Sequence, residues 1–109
     1  MSRSKQGAMA IALLAAGLAG AAAAPGAERD AVEIKEHHYT PGQLTVRRGA
    51  TVSWRNHDED THTVTATGGA FASAGLGVEE RFTYTFAKPG TYTYFCALHP
   101  KMQGTIVVR

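Results

Sequence analysis

Residues 88–108 read KPGTYTYFCALHPKMQGTIVV, a stretch that combines a strand pattern with an unusual set of side chains. Two tyrosines alternate with threonines in its first half, which is the period of two expected for a β-strand with one buried face. Cys96 continues this alternation, so we expect its side chain to point into the same interior. His99 and Met102 follow at intervals of three residues, in what we expect to be a loop. We expect Pro100 and Gly104 to turn the chain before a final strand.

The same alternation recurs in short segments along most of the chain. These segments are rich in β-branched and aromatic residues and are separated by Gly- and Pro-containing turn signals. No helical period follows the first part of the chain, and we find no repeat and no second domain. The pattern predicts an all-β fold, an antiparallel Greek-key β-sandwich of about seven to eight strands. The apolar alternation falls in residues 32–34, 44–46, 52–54, 82–86, 92–94 and 105–108.

The first 24 residues have the composition of an export signal. Arg3 and Lys5 precede an uncharged, Ala-rich run over residues 7–24. A basic start, an apolar middle and small residues before a cleavage site are typical of secretory signals. A membrane span needs about 20 strongly apolar residues, and this run is shorter and only weakly hydrophobic. We therefore expect cleavage within residues 21–27, a periplasmic bacterial protein, and no membrane span after cleavage.

The charge of the expected mature protein is balanced. The whole chain of 109 residues has 11 Lys and Arg against 9 Asp and Glu, but two of the basic residues belong to the expected signal. The remaining nine basic and nine acidic residues cancel, so the sequence does not indicate nucleic-acid or membrane-surface binding. We expect a flexible amino terminus over residues 25–31, followed by one domain over residues 32–109 that acts as a monomer.

The single cysteine is the first indication of a metal site. Cys96 has no cysteine partner in the chain, and an idle thiol is a liability in an oxidising compartment. With His99 and Met102 it offers a thiolate, an imidazole and a thioether. Soft sulfur ligands with imidazole suit copper, whereas structural zinc sites do not use a thioether. The alternative for each residue taken alone is core packing.

Copper would require a second imidazole from elsewhere in the chain. The upstream histidines are His37, His38, His57 and His62. His62 is favoured because it begins a β-like run after a polar loop, and a ligand at such a junction is held rigidly. We expect the other three to have structural or solvated roles, and the acidic residues 58–60 to form a solvated turn.

Several of these segments resemble the cupredoxins, the small blue copper proteins. The resemblance is carried by YTPGQLTVRRGATVSW (39–54), TVSWRN (51–56), DEDTHTVTATGGAF (58–71) and the stretch 88–108 quoted above. The tight Cys-x2-His-x2-Met loop is similar to that of the amicyanin-like members. Together these segments cover nearly the whole chain from about Val32.

The resemblance implies a ligand set and a function. His62, Cys96 and His99 would be the trigonal ligands of one type 1 copper ion, with Met102 as the weak axial ligand. Thr63 stands where well-known members have an asparagine that ties the two ligand loops together. The sequence leaves open whether its hydroxyl takes that role. The implied function is one-electron transport, without enzyme activity.

The resemblance also implies a docking face for redox protein partners. It would consist of His99 with Ala97, Leu98 and Pro100, joined by Leu76. A periplasmic dehydrogenase and a c-type cytochrome are one possible pair of partners. Redox contacts of this kind are small and transient, so a modest apolar patch is sufficient.

Three other classes of function are weighed against electron transport. A copper-binding carrier in copper homeostasis would use similar ligands, but such proteins are rich in Met and His clusters. A copper oxidase or nitrite reductase needs further copper centres, for which this chain has neither the length nor the ligands. A β-sandwich adhesion module without metal leaves Cys96 unexplained.

Overall fold

The computed structural model describes residues 30–109, and it contains eight β-strands. The expected signal and residues 25–29 of the expected flexible segment lie outside the described residues. Within them, no helix is long and apolar enough to cross a membrane. The strands are β1 (Ala31–Lys35), β2 (His38–Thr40), β3 (Gln43–Val46), β4 (Thr51–Asn56), β5 (Thr65–Ala66), β6 (Arg81–Thr85), β7 (Gly90–Cys96) and β8 (His99–Val108).

The strands form two four-stranded sheets, with orders β2-β1-β4-β6 and β3-β8-β7-β5. The predicted all-β sandwich is thereby confirmed. Neighbouring strands are mostly antiparallel, but β1 pairs with β4 and β3 pairs with β8 in parallel. The β1–β4 pair arises because the chain crosses to the other sheet between β2 and β3 and then returns to place β4 beside β1.

The core lies between the two sheets and is rich in aromatic side chains. Trp54 of β4 is fully buried, and its ring centroid lies 5.5 Å from that of Tyr94 of β7, edge to face. Such contacts add to the free energy gained from burying the rings. Trp54, Phe86 and Tyr94 are buried in the core, while Phe82, Tyr84 and Tyr92 are partly buried at its margin.

The hairpin of β7 and β8 carries the sulfur and imidazole groups. Cys96 pairs with His99 across a two-residue turn, whereas Phe95 pairs with Gln103. Residues 100–102 therefore have no partner on β7, which makes the register irregular at this point. The prediction of a loop here was wrong, because these residues open β8. In a regular hairpin these side chains would point to alternate faces of the sheet. An unpaired segment of this kind changes the direction in which they point.

Gly104 has a packing role and not the turning role expected from the sequence. It lies within β8, directly opposite Tyr94. A Cβ at this position would overlap the ring of that tyrosine. The glycine therefore lets the ring lie over the strand, next to the segment that carries the site.

Candidate metal centre

Three donor groups converge at one end of the sandwich. The Sγ of Cys96 lies 3.7 Å from Nδ1 of His62 and 3.6 Å from Nδ1 of His99. Metal bonds of about 2.3 Å to thiolate and about 2.0 Å to imidazole, meeting at about 115°, place S and N about 3.7 Å apart. The observed separations match this value. Cys96 and His62 are fully buried, and His99 is partly buried.

Met102 completes a donor set that suits copper. It lies in the unpaired segment of β8, is 6% exposed, and lines the same surface groove as His99. A buried thiol, two imidazoles and a thioether are the soft and borderline donors of blue-copper sites. The cluster is therefore consistent with one type 1 copper ion.

His62 is held by backbone hydrogen bonds outside the main strands. Its N–H donates to the carbonyl of Leu76 (3.1 Å), and the N–H of Leu76 donates back (2.7 Å). The β-like run expected from His62 onward is mostly not a strand, since β5 begins only at Thr65. Leu76 is 6% exposed, so the expectation that it joins the docking face was wrong.

Thr63 ties the two ligand-bearing segments together, a point that the sequence left open. Its Oγ1 accepts a hydrogen bond from the backbone N–H of Ala97 (2.7 Å) and lies 2.9 Å from Oγ1 of Thr65. Its own N–H points at Sγ of Cys96, at 3.3 Å.

Asp58 orients the ring of His62. Its Oδ2 lies 2.8 Å from Nε2 of His62, and its two oxygens accept the backbone N–H groups of Glu36 (2.7 Å) and His37 (2.9 Å). Burial opposes ionisation of this carboxyl, but these hydrogen bonds outweigh it and hold its pKa below 3.8. An anionic acceptor keeps the proton on Nε2, so the lone pair of Nδ1 faces the sulfur. The prediction of a solvated turn was wrong for Asp58, whose side chain is only 15% exposed.

Comparison with known proteins assigns the family. The model of the Cupredoxin-like domain family matches residues 7–108. The chain belongs to the cupredoxins. This match spans the whole sandwich and includes all four donor residues.

The curated relatives of this cupredoxin include amicyanins. The amicyanin of Paracoccus denitrificans is 36% identical over 82 residues, which cover 71% of this chain and 63% of that protein. The amicyanin of Paracoccus versutus is 32% identical, with 81% and 70% covered. Amicyanin-alpha of Methylorubrum extorquens is 30% identical, with 91% and 87% covered.

Solved structures of cupredoxins are also similar to this chain. A reduced Cu(I) form of an amicyanin mutant superposes with a TM-score of 0.70 at 32% identity, covering 72% of this chain and 80% of that one. A purple cupredoxin from Nitrosopumilus maritimus superposes with a TM-score of 0.68 at 28% identity, covering 72% and 98%. These matches confirm the resemblance inferred from the sequence.

Asn56 is a structural residue of the site that the sequence did not reveal. It is fully buried at the end of β4. Its side-chain amide donates to the carbonyls of Asp60 and Leu76, both at 2.9 Å, and its Oδ1 accepts the N–H of Asp58 (2.8 Å). An asparagine that bonds the backbone two residues ahead is a known turn signal, which could have identified it. Asn56 thus shapes the loop that presents Asp58 and His62.

His37 lies against the site, which the sequence did not predict. Its ring centroid is 4.9 Å from that of His62 and 4.7 Å from that of His99, in edge contacts. Both His37 and Glu36 have positive φ angles, 61° and 51°. The next residue, His38, instead begins β2 and is bonded through Nδ1 to the carbonyl of Glu36 (2.8 Å), so it takes the structural role expected for it. The expectation of a structural or solvated role for His37 therefore omits its contact with the two histidines of the site.

His57 has an ionic role away from the metal centre. One ring nitrogen contacts Glu33, and the other lies 3.2 Å from Glu79. Hydrogen bonds to these two carboxylates raise the pKa of His57 above 6.5. The residue bridges β1 and the turn before β6, in line with the structural role expected from the sequence.

Proposed function

We propose that this cupredoxin is an exported one-electron carrier that holds one type 1 copper ion through His62, Cys96, His99 and Met102. The observation that carries the proposal is the placement of the Cys96 sulfur 3.6–3.7 Å from one nitrogen of each histidine. The ion, when bound, supplies the one-electron couple between Cu(I) and Cu(II). The similarity to amicyanins supports the same conclusion.

The residues around the site would keep its geometry constant during electron transfer. Thr63 holds the two ligand-bearing segments together through a hydrogen bond of 2.7 Å. Asp58 holds the ring of His62 through a hydrogen bond of 2.8 Å. Burial of Cys96 and His62 excludes water from the donors. A rigid and dry site requires little rearrangement between oxidation states, which favours fast transfer.

Four protein donors would leave no coordination position for a substrate, which supports a carrier and not an enzyme. We place the protein in the bacterial periplasm because of the signal-like composition of its first 24 residues. Its partners would be redox proteins, with a periplasmic dehydrogenase and a c-type cytochrome as one pair.

A copper titration tests this function. One equivalent of Cu(II) added to the purified apoprotein is expected to produce an intense blue band, because a thiolate bound to Cu(II) absorbs strongly in the visible. Ascorbate should bleach the band and air or ferricyanide should restore it, while mild chelation should not remove the metal. A colourless complex would contradict the electron-carrier function, and rapid loss of copper to the chelator would favour a role in copper homeostasis.

Leu98 is expected to contact the redox partners. It is 56% exposed in the turn between Cys96 and His99. The change Leu98→Glu should slow electron exchange with a c-type cytochrome about tenfold, because desolvating a charge at a contact costs 1 kcal/mol or more. Stopped-flow absorbance measures this rate.

The matched control for this change is Val78→Glu. Val78 is also large, apolar and 53% exposed, but it lies in the turn before β6. The blue band should be unchanged in both variants. Equal slowing by both would show that net charge, and not contact at the loop, sets the rate.

A further inference from the structure

The buried donors raise the question of how copper reaches them. Cys96 and His62 are fully buried, and Met102 is 6% exposed. Of the four proposed ligands only His99 is partly exposed. An incoming ion must therefore first meet groups at the surface beside His99.

The imidazole of His37 lies at the surface beside His99. Its side chain is 46% exposed, yet one nitrogen of His37, one of His62 and one of His99 all lie within 4.8 Å of one another. The three residues thus run from the surface to the interior with no more than 4.8 Å between their ring nitrogens. An ion could pass along them by exchanging one ligand at a time.

The chain holds His37 in this place at a conformational cost. A left-handed φ of 61° is unfavourable for a residue with a Cβ. Asp58 offsets that cost by accepting the N–H groups of both His37 and Glu36. A strained residue that the surrounding structure over-determines is typical of functional positions.

Negative charge surrounds the exposed side of this histidine. Nε2 of His37 lies 3.0 Å from Oδ2 of Asp60, whose side chain is 60% exposed, and Nδ1 lies 3.9 Å from Oδ2 of Asp58. Carboxylates beside an accessible imidazole attract a divalent cation and provide an oxygen ligand.

We propose that His37 and Asp60 form a capture site for incoming copper, from which the ion is passed by way of His99 to the buried donors. The inference rests on the proposed copper function. It assigns His37 to the uptake of the metal, and it leaves the final coordination to His62, Cys96, His99 and Met102.

Loading kinetics test the capture site. The apoprotein is mixed with excess Cu(II) in a stopped-flow instrument, and the growth of the blue band is followed. His37→Asn is the variant of choice, because asparagine tolerates a left-handed φ and should preserve the turn. It should load about tenfold more slowly, which is the usual size of the effect of losing a residue that supports a metal site. The final absorbance should equal that of the wild type.

His38→Asn is the matched control. It removes an adjacent exposed imidazole that bonds only a backbone carbonyl, and it should load at the wild-type rate. The proposal would be overturned if His37→Asn took up copper at the wild-type rate, or if both variants took it up equally slowly. Circular dichroism of each apoprotein shows whether the fold is retained.

An equilibrium measurement gives a second test that does not depend on the blue band. Cys96→Ala keeps the three imidazoles, and Cu(II) bound to them is detected by electron paramagnetic resonance. Adding His37→Asn to this variant should weaken Cu(II) binding about tenfold. Unchanged affinity would also overturn the proposal. If the wild type binds copper without a blue band, the electron-carrier function fails, but this test of His37 remains valid.

Discussion

Replacing Cys96 with alanine is expected to abolish the blue band of the copper-loaded protein completely. Cys96 is the only cysteine in the chain, so no other group can supply a thiolate. The two histidines and the methionine are neutral donors, and the variant would lose the anion that balances the charge of Cu(II). Visible spectra of wild type and variant with one equivalent of Cu(II) measure the effect.

The same substitution should leave the apoprotein folded. A buried thiol packs as a small apolar group, and its loss costs about 1 kcal/mol, comparable to one methylene. Copper should raise the melting temperature of the wild type strongly, since binding at 1,000 times Kd adds about 4 kcal/mol to the free energy of unfolding. Copper should raise the melting temperature of the Cys96→Ala variant much less.

Met102→Leu is the control for Cys96→Ala. The axial thioether is a weak ligand, so this variant should stay blue with a changed reduction potential. A blue Cys96→Ala protein would contradict the assignment of the thiolate. A colourless Met102→Leu protein would show that the thioether is needed to hold the metal.

Asp58→Asn is expected to lower the affinity for copper about 10- to 100-fold, the usual effect of losing a group that orients a metal-binding histidine. The carboxylate accepts from Nε2 of His62 at 2.8 Å. An asparagine amide can donate to that nitrogen, which would move the ring proton to Nδ1, on the side of the sulfur. The copper then competes with a proton for its ligand. Competition titration against a chelator measures the affinity.

The lost charge should also shift the reduction potential upward. A carboxylate beside His62 favours Cu(II) over Cu(I), and each tenfold change in that preference corresponds to about 59 mV for one electron. Glu59→Gln is the matched control, because it makes the same charge change in the same loop at an exposed side chain. It should leave the affinity nearly unchanged. Equal losses in both variants would contradict a specific role of Asp58.

The free energy of unfolding should depend differently on pH in the wild-type protein and in Asp58→Asn. Because its folded-state pKa is lowered below 3.8, ionised Asp58 stabilises the fold above that value. This contribution is lost as the pH falls through the folded-state pKa. The wild-type apoprotein should therefore lose free energy of unfolding below about pH 4 more steeply than Asp58→Asn. Urea titrations at several pH values measure the difference.

The sequence by itself determined the architecture and pointed to most of the proposed donor set. Alternation with period two identified the main strands, because one face of each is buried in the sandwich. Three of the proposed ligands are close along the chain, so they could be recognised as a group without any knowledge of the fold: Cys96, His99 and Met102. The resemblance to the family raised the role of Thr63 as a question, and the hydrogen bond from the N–H of Ala97 answered it.

The tertiary structure decided which distant groups meet at the site. The unpaired segment of β8 depends on the register of two strands, which no local pattern encodes. The contact of His37 with the ligand histidines depends on a left-handed turn that is held by Asp58, 21 residues away. Such contacts form only when the sheets pack, because hydrogen bonds between distant residues must first overcome the entropy of closing the chain between them.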